Sequence, residues 1–258
     1  MKNLEIFWIR HSVSKANVSS LLEKLIFFFS FKDAPLIPDA ESGSCYLEKH
    51  LDKNIKDSDI VGCSRMRRAI QTAILMFPEK FKEGKLKVLP GIKEKGFGPG
   101  NQINDIETNK KLLSEWCFTI KKNKECKKFA RLFKDRKQID NAIKKIYSDL
   151  EEKEWKPIIN DETVTETQFL NCLIPYLEKK KIKKIPIVSH SNYIKEDIMV
   201  KSLITRKERQ YLRKDMKLHN NQILKKEYQY DKKHIYVRDQ KIYDFGCVYD
   251  DRIVDCYH

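Results

Sequence analysis

No run of about 18 or more apolar residues occurs in this 258-residue chain, so no segment of it reads as a membrane-spanning helix. It also lacks the basic, apolar and small-residue succession of a secretory leader. The strongest apolar cluster, Leu21 to Phe31 ("LLEKLIFFFSF"), is too short to span a bilayer and is interrupted by Glu23 and Lys24. It reads as a helix or lid packed on the core, with a membrane-surface or partner patch as the other reading. The seven cysteines are scattered, odd in number and form no CxxC pair. That pattern speaks against a disulfide framework and a zinc site, and a cytoplasmic, reducing setting suits it best. Zinc-finger, RNP-type and KH-type motifs are absent, which makes nucleic acid an unlikely partner. There is no internal repeat and no disordered tract, so residues 1–258 are expected to form a single globular domain.

What the chain does have is charge. Lys and Arg number 52 against 37 Asp and Glu, a net of +15, and the excess is densest in "KKNKECKKFARLFKDRK" from Lys121 to Lys137. Such a face concentrates anions, although a solvated helical face in a lysine-rich protein is the simpler reading. Strand-like runs recur at Leu4–Ile9, Ile60–Val61 and Ile185–Val188, with helical spacing between them, which implies an α/β fold. "KDAPLIPDAESG" has the punctuation of a loop leading into a helix around Ser44 to Leu51. "CSRMRRAIQTAILMF" reads as a helix capped by Ser64, with Ala69, Thr72, Ala73 and Met76 on one face. Residues 107–155 are helical in pattern and lysine-rich, the expected cap insertion. Thr163 or Thr165 could cap the helix that follows, and Pro175 should perturb it or end its regular part. The tail from Leu218 alternates aromatic and polar residues, which suggests added strands or hairpins.

Two of the strands stop at histidines. "WIRHSVSKAN" places Arg10 and His11 at the end of the first, and "IPIVSHSN" places His190 at the end of another. The carboxyl edge of an α/β sheet is where such folds bind ligands. A third strand end carries an arginine cluster at a helix start, where backbone N–H groups also favour anions. Guanidinium forks match phosphate oxygens, and a histidine can serve as a covalent nucleophile.

In combination these stretches resemble the histidine phosphatase superfamily, which includes phosphoglycerate mutases and acid phosphatases. Its Arg-His-Gly-x-Ser/Thr-x-x-Asn motif is similar to Arg10-His11-Ser12-Val13-Ser14-Lys15-Ala16-Asn17, with Ser12 in place of glycine. Pro35 to Ala40 echo the "PLTxxG" stretch, and Ser64 to Ala73 resemble Ser-Pro-Leu-x-Arg-Ala-x-Gln-Thr-Ala, aligning Arg68 with the pocket arginine. "KEKGFGPGN" looks like the acidic loop, "DET" resembles Gly-Glu-Ser, and Val188 to Ser191 resemble Val-Ser-His-Gly. "LHNNQI" is similar to the family's late Asn-containing strand.

The resemblance implies a three-layer sandwich with a mostly parallel central sheet flanked by helices, plus the helical cap. It implies a phosphatase in which His11 becomes a phosphohistidine and Arg10, Arg68 and His190 stabilise the phosphoryl oxygens. Asn17 and Ser14 would add hydrogen bonds. Glu94 falls at the proton-donor position, with Glu107 and Glu115 as downstream alternatives. A backbone carbonyl or similar acceptor should hold the imidazole nitrogen that does not attack. Neither metal nor cofactor is called for, since the arginines supply positive charge. The expected partner is a small phosphorylated substrate or a phosphoprotein. A mutase that returns the phosphoryl group to an intermediate is the alternative enzyme, and a weakened family member acting as a binding protein is the alternative outside catalysis. Ser12 and Ser191 replace glycines beside the histidines; they either narrow the pocket or project away from it.

Overall fold

The computed structural model describes residues 1–15, 33–96, 101–161 and 163–243. Its centre is β1 (Lys2–Arg10), whose last six residues are almost all buried because helices and neighbouring strands cover both of its faces. Along the chain follow α1 (Pro38–His50), β2 (Val61–Ser64), α2 (Arg67–Met76), α3 (Pro78–Glu83) and β3 (Leu86–Leu89). Next come α4 (Ile106–Ile120), α5 (Lys127–Leu132), α6 (Arg136–Ile146), α7 (Glu166–Lys179), β4 (Lys184–Ser189), β5 (Ile223–Tyr230) and β6 (Ile235–Tyr243). The strands form one mixed six-stranded sheet in the order β3, β2, β4, β1, β5, β6. The pairings β3–β2, β2–β4 and β4–β1 are parallel, whereas β5 and β6 are added antiparallel as the hairpin suggested by the alternating tail. Register places Ile9 opposite Val188 and Arg10 opposite Ser189, so the chain leaves β1 and β4 side by side.

Successive residues of β1 are divided between two cores, as the period of a strand requires. Phe7 and Ile9 pack with Val61, Cys63, Val88 and the apolar faces of α1 to α6. Leu4, Ile6 and Trp8 join Ile185, Ile187, Leu224, Trp155 and the inner face of α7. In the first of these cores α4 packs on α6, while α6 reaches α3 and β3. Among the described residues no helix is long and apolar enough to cross a membrane.

Four local expectations are corrected. The helix expected around Ser44 begins six residues earlier, at Pro38, whose fixed φ suits a first turn. Ser64 does not cap α2: it ends β2, Met66 holds the cap position, and the Ser64 hydroxyl accepts only a long 3.4 Å bond from the Met66 N–H. Pro175 neither ends nor interrupts α7, which continues to Lys179 with Ile174 and Tyr176 buried on either side of it. Its start is fixed by a capping box in which Thr165 and Gln168 exchange hydrogen bonds. Finally, Cys45 and Cys126 form a disulfide, contrary to the reading of unpaired cysteines. They lie 81 positions apart, and only the packing of residues 124–126 on α1 brings them together. Cys63, Cys117 and Cys172 are free and buried.

Candidate active site

β1, β2 and β4 run parallel, so their carboxyl ends share one edge of the sheet. The chain delivers Arg10 and His11 there from β1, His190 from β4 and Arg68 from the first turn of α2. All four are at most 2% exposed. Glu94, from the segment after β3, is also buried, and donor atoms of His11, Glu94 and His190 lie within 4.8 Å of one another. The two imidazoles are tilted with ring centroids 5.0 Å apart. Ser14 is fully buried and forms an isolated bridge with Leu36, tying the loop after His11 to the "PLIP" stretch. Asn17 and the Leu21–Phe31 cluster lie outside the described residues. Glu107 and Glu115 sit on the exposed face of α4, away from this cluster.

Each ring nitrogen of His11 has an assigned neighbour. Nδ1 is 2.5 Å from the Ser12 carbonyl oxygen, an acceptor, which places the proton on Nδ1 and the lone pair on Nε2. That lone pair accepts a 3.1 Å bond from Arg68 Nε, while Arg68 Nη2 donates to Asn101 Oδ1 at 3.0 Å. Burial, then the charges of Arg68 and Arg10, hold His11 well below the ordinary imidazole range. Burial and the same arginines do the same for His190, neither of whose ring nitrogens has a hydrogen-bond partner among the described residues. Burial raises the Glu94 carboxyl, and the attraction of Arg68 and Arg10 offsets part of that rise.

His11, Glu94 and His190 are close enough to share one cation. Two guanidinium groups beside them and the Arg68 bond already made to His11 Nε2 set the site's preference towards an anion instead.

Several residues that hold this arrangement carried no readable role in the sequence. Asp33 is fully buried; its Oδ1 accepts the Arg67 N–H at 2.7 Å, and its carbonyl accepts Arg67 Nη2 at 2.8 Å. The first turn of α2 is therefore capped by a carboxylate from a distant loop. Burial pushes Asp33 up to about 6, despite Arg68 and Arg67 nearby. The stretch before β5 wraps the Arg10–Ser12 backbone. Leu218 accepts Arg10 Nη1 at 2.5 Å, Asn220 Nδ2 donates to the His11 carbonyl at 2.9 Å, and Asn221 Nδ2 donates to Ser12 Oγ at 3.0 Å. The Ser12 hydroxyl in turn donates to the Ala40 carbonyl in α1 at 3.2 Å, so its bonds run towards α1 and the β5 entry. The "NN" of "LHNNQI" was the one visible signal for this wrapping.

Neither a family model nor a curated protein matches the chain. Solved structures do. Phosphoglycerate mutase from Bacillus anthracis aligns over 92% of this chain and 92% of its own at 15% identity, with a TM-score of 0.45. The alpha-ribazole phosphatase from Shigella flexneri aligns over 92% and 95% at 16% identity, TM-score 0.39. A mycobacterial glucosyl-3-phosphoglycerate phosphatase aligns over 94% and 98% at 12% identity, TM-score 0.42. These matched proteins are members of the histidine phosphatase superfamily. At such identities and scores, function has to be argued from the site's own geometry.

Proposed function

We propose that this protein is a histidine phosphatase that hydrolyses a phosphomonoester through a phosphohistidine on His11. The observation that carries the reading is the His11 ring itself: Nδ1 faces a backbone carbonyl, and Nε2 holds a lone pair directed at Arg68 among buried cationic groups. A nucleophilic imidazole needs that tautomer, and a phosphoryl group needs that charge.

In the first step the Nε2 lone pair attacks phosphorus in line, the bridging P–O bond breaks, and its electron pair leaves with the substrate oxygen. Glu94, protonated, gives that oxygen its proton. Arg68 exchanges its bond to Nε2 for bonds to the phosphoryl oxygens, joined by Arg10 and by His190, whose ring nitrogens have no partner among the described residues. Water then attacks phosphorus, the P–N bond breaks back onto Nε2, and Glu94 takes the proton that the water loses. Asn17 and Ser14 complete the phosphate contacts in this reading. The fold belonging to it is the three-layer sandwich, with residues 107–155 as a cap that, with the loop before Pro38, selects a small phosphorylated substrate or a phosphoprotein.

The test is release of phosphate from para-nitrophenyl phosphate and a phosphometabolite panel without added metal, by the protein and by His11→Ala. Turnover and acid-labile phosphorylation are both expected to vanish in His11→Ala. Undiminished activity in that variant refutes the covalent route.

A further inference from the structure

The Glu94 carboxylate is not free to present either oxygen. Its Oε1 accepts two backbone N–H bonds, from Lys95 and from Asn192, each 3.1 Å long. Its Oε2 accepts none among the described residues. Asn192 lies two residues beyond His190, in the middle of the short helical turn Ser191–Tyr193, and grips the Glu94 loop a second time: its Nδ2 donates to the Lys95 carbonyl at 2.9 Å. Lys95 is anchored in the same direction by its ammonium group, 2.7 Å from the carboxylate of Asp197, which is 9% exposed. One step back, the Ser189 hydroxyl donates to the Ile92 carbonyl at 3.2 Å. The segment after β3 is thus stitched to the segment after β4 at Ile92, at Glu94 itself and twice at Lys95.

We infer that Asn192 is a positioning residue that fixes the Glu94 carboxyl so that Oε2, and not Oε1, carries the proton delivered to the leaving oxygen. An oxygen already accepting two N–H bonds is a poor place for a proton, since an O–H there would have to share the same lone-pair directions. The oxygen without donors keeps the proton and is the one presented to the substrate. Asn192 also links the acid to His190 through one intervening residue, Ser191. This inference rests on Glu94 being the general acid, and the experiment separates the two claims.

Asn192→Ala removes the side-chain bond to Lys95 and leaves the backbone N–H. Asp197→Asn loosens Lys95 from a position outside the cluster and serves as a second variant should the first fold poorly. Single-turnover rates are measured on an aryl phosphate with an acidic leaving group and on an alkyl phosphate, alongside Glu94→Gln. Loss of one such bond is expected to slow the alkyl ester roughly three- to tenfold and the aryl ester by less than about twofold. The basic limb of the alkyl pH–rate profile should move up, because N–H bonds to the ionised carboxylate are weakened. Equal loss on both esters, or no loss with either variant, overturns the role of Asn192 while Glu94→Gln still discriminates between leaving groups. If Glu94→Gln does not discriminate, the assignment of Glu94 as general acid falls, and this inference with it.

Discussion

An imidazole that attacks phosphorus must keep its lone pair at the pH where it works, and a buried ring between two guanidinium groups does so by default. For His11 and His190 the neutral form is the one the fold stabilises, since both are held well below the ordinary value by burial and by Arg68. The sign follows directly: protonation of either ring is opposed, so native stability from these groups is present above the ordinary imidazole range and is lost as pH falls below it. Ring resonances of both histidines are expected to stay those of neutral imidazole as pH is lowered through 6.5. Two-dimensional NMR on the protein labelled at histidine reads this directly, and a titration midpoint near 6.5 for either ring would contradict the electrostatic account. The histidines, Arg68 and Glu94 were legible in the sequence because strand ends and motif spacing mark them. Asp33 and Asn192 were not, since each acts through hydrogen bonds to residues far away in sequence.

At the scale of an element, α2 shows how a local rule gives way to a tertiary one. Its N-terminal turn has no side-chain cap from its own cap residue, and the orphan Arg67 N–H is taken by Asp33. Because Asp33 is raised from 3.8 to about 6, the folded state favours its neutral form. Its contribution is fully present below about 4 and is lost as pH rises through 6, a span of roughly 3 kcal/mol. Asp33→Asn keeps an acceptor for Arg67 without the charge, so its stability relative to the parent should rise between pH 4 and 6 and then level off. Asp33→Ala loses the acceptor and should be less stable than Asp33→Asn by about 1 kcal/mol at every pH. Urea midpoints at four pH values distinguish these outcomes, and parallel curves for the parent and Asp33→Asn would show that Asp33 does not titrate in that range. Elements with strong periodicity, such as β1, α2 and the β5–β6 hairpin, could be read from residues alone. β3 could not: Leu86–Leu89 is four residues long and offers no alternation to count. The path of α7 through Pro175 was equally hidden, because packing of Leu173, Ile174, Tyr176 and Leu177 outweighs the one backbone bond a proline forfeits.

Across the whole molecule, the sheet keeps two cores apart while side-chain bonds and one covalent link tie residues 107–155 to α1. Trp116 donates to Glu41, Lys128 pairs with Glu48, and the Cys45–Cys126 bridge lies between them. α1 in turn touches Ser12, whose carbonyl orients His11, so the lysine-rich segment is mechanically continuous with the site. A disulfide acts mainly on the unfolded chain, and one spanning 81 positions restricts a large loop. Reduction, or Cys126→Ser, is therefore expected to lower stability by about 2–4 kcal/mol while leaving the sheet and the His11–His190 pair in place. Urea unfolding with and without dithiothreitol measures the first, and phosphohistidine formation on the reduced protein measures the second. In a reducing setting the pair would be open, and the contact would rest on the Lys128–Glu48 ion pair, the Trp116–Glu41 and Asn123–Ser42 bonds and the apolar packing around them. Stability unchanged by reductant would mean that these non-covalent ties, with the packing of Phe129 and Phe133 on Phe81 of α3, suffice. Coincident loss of fold and phosphorylation would instead make the bridge a requirement of the native state, and would place the working protein in an oxidising compartment.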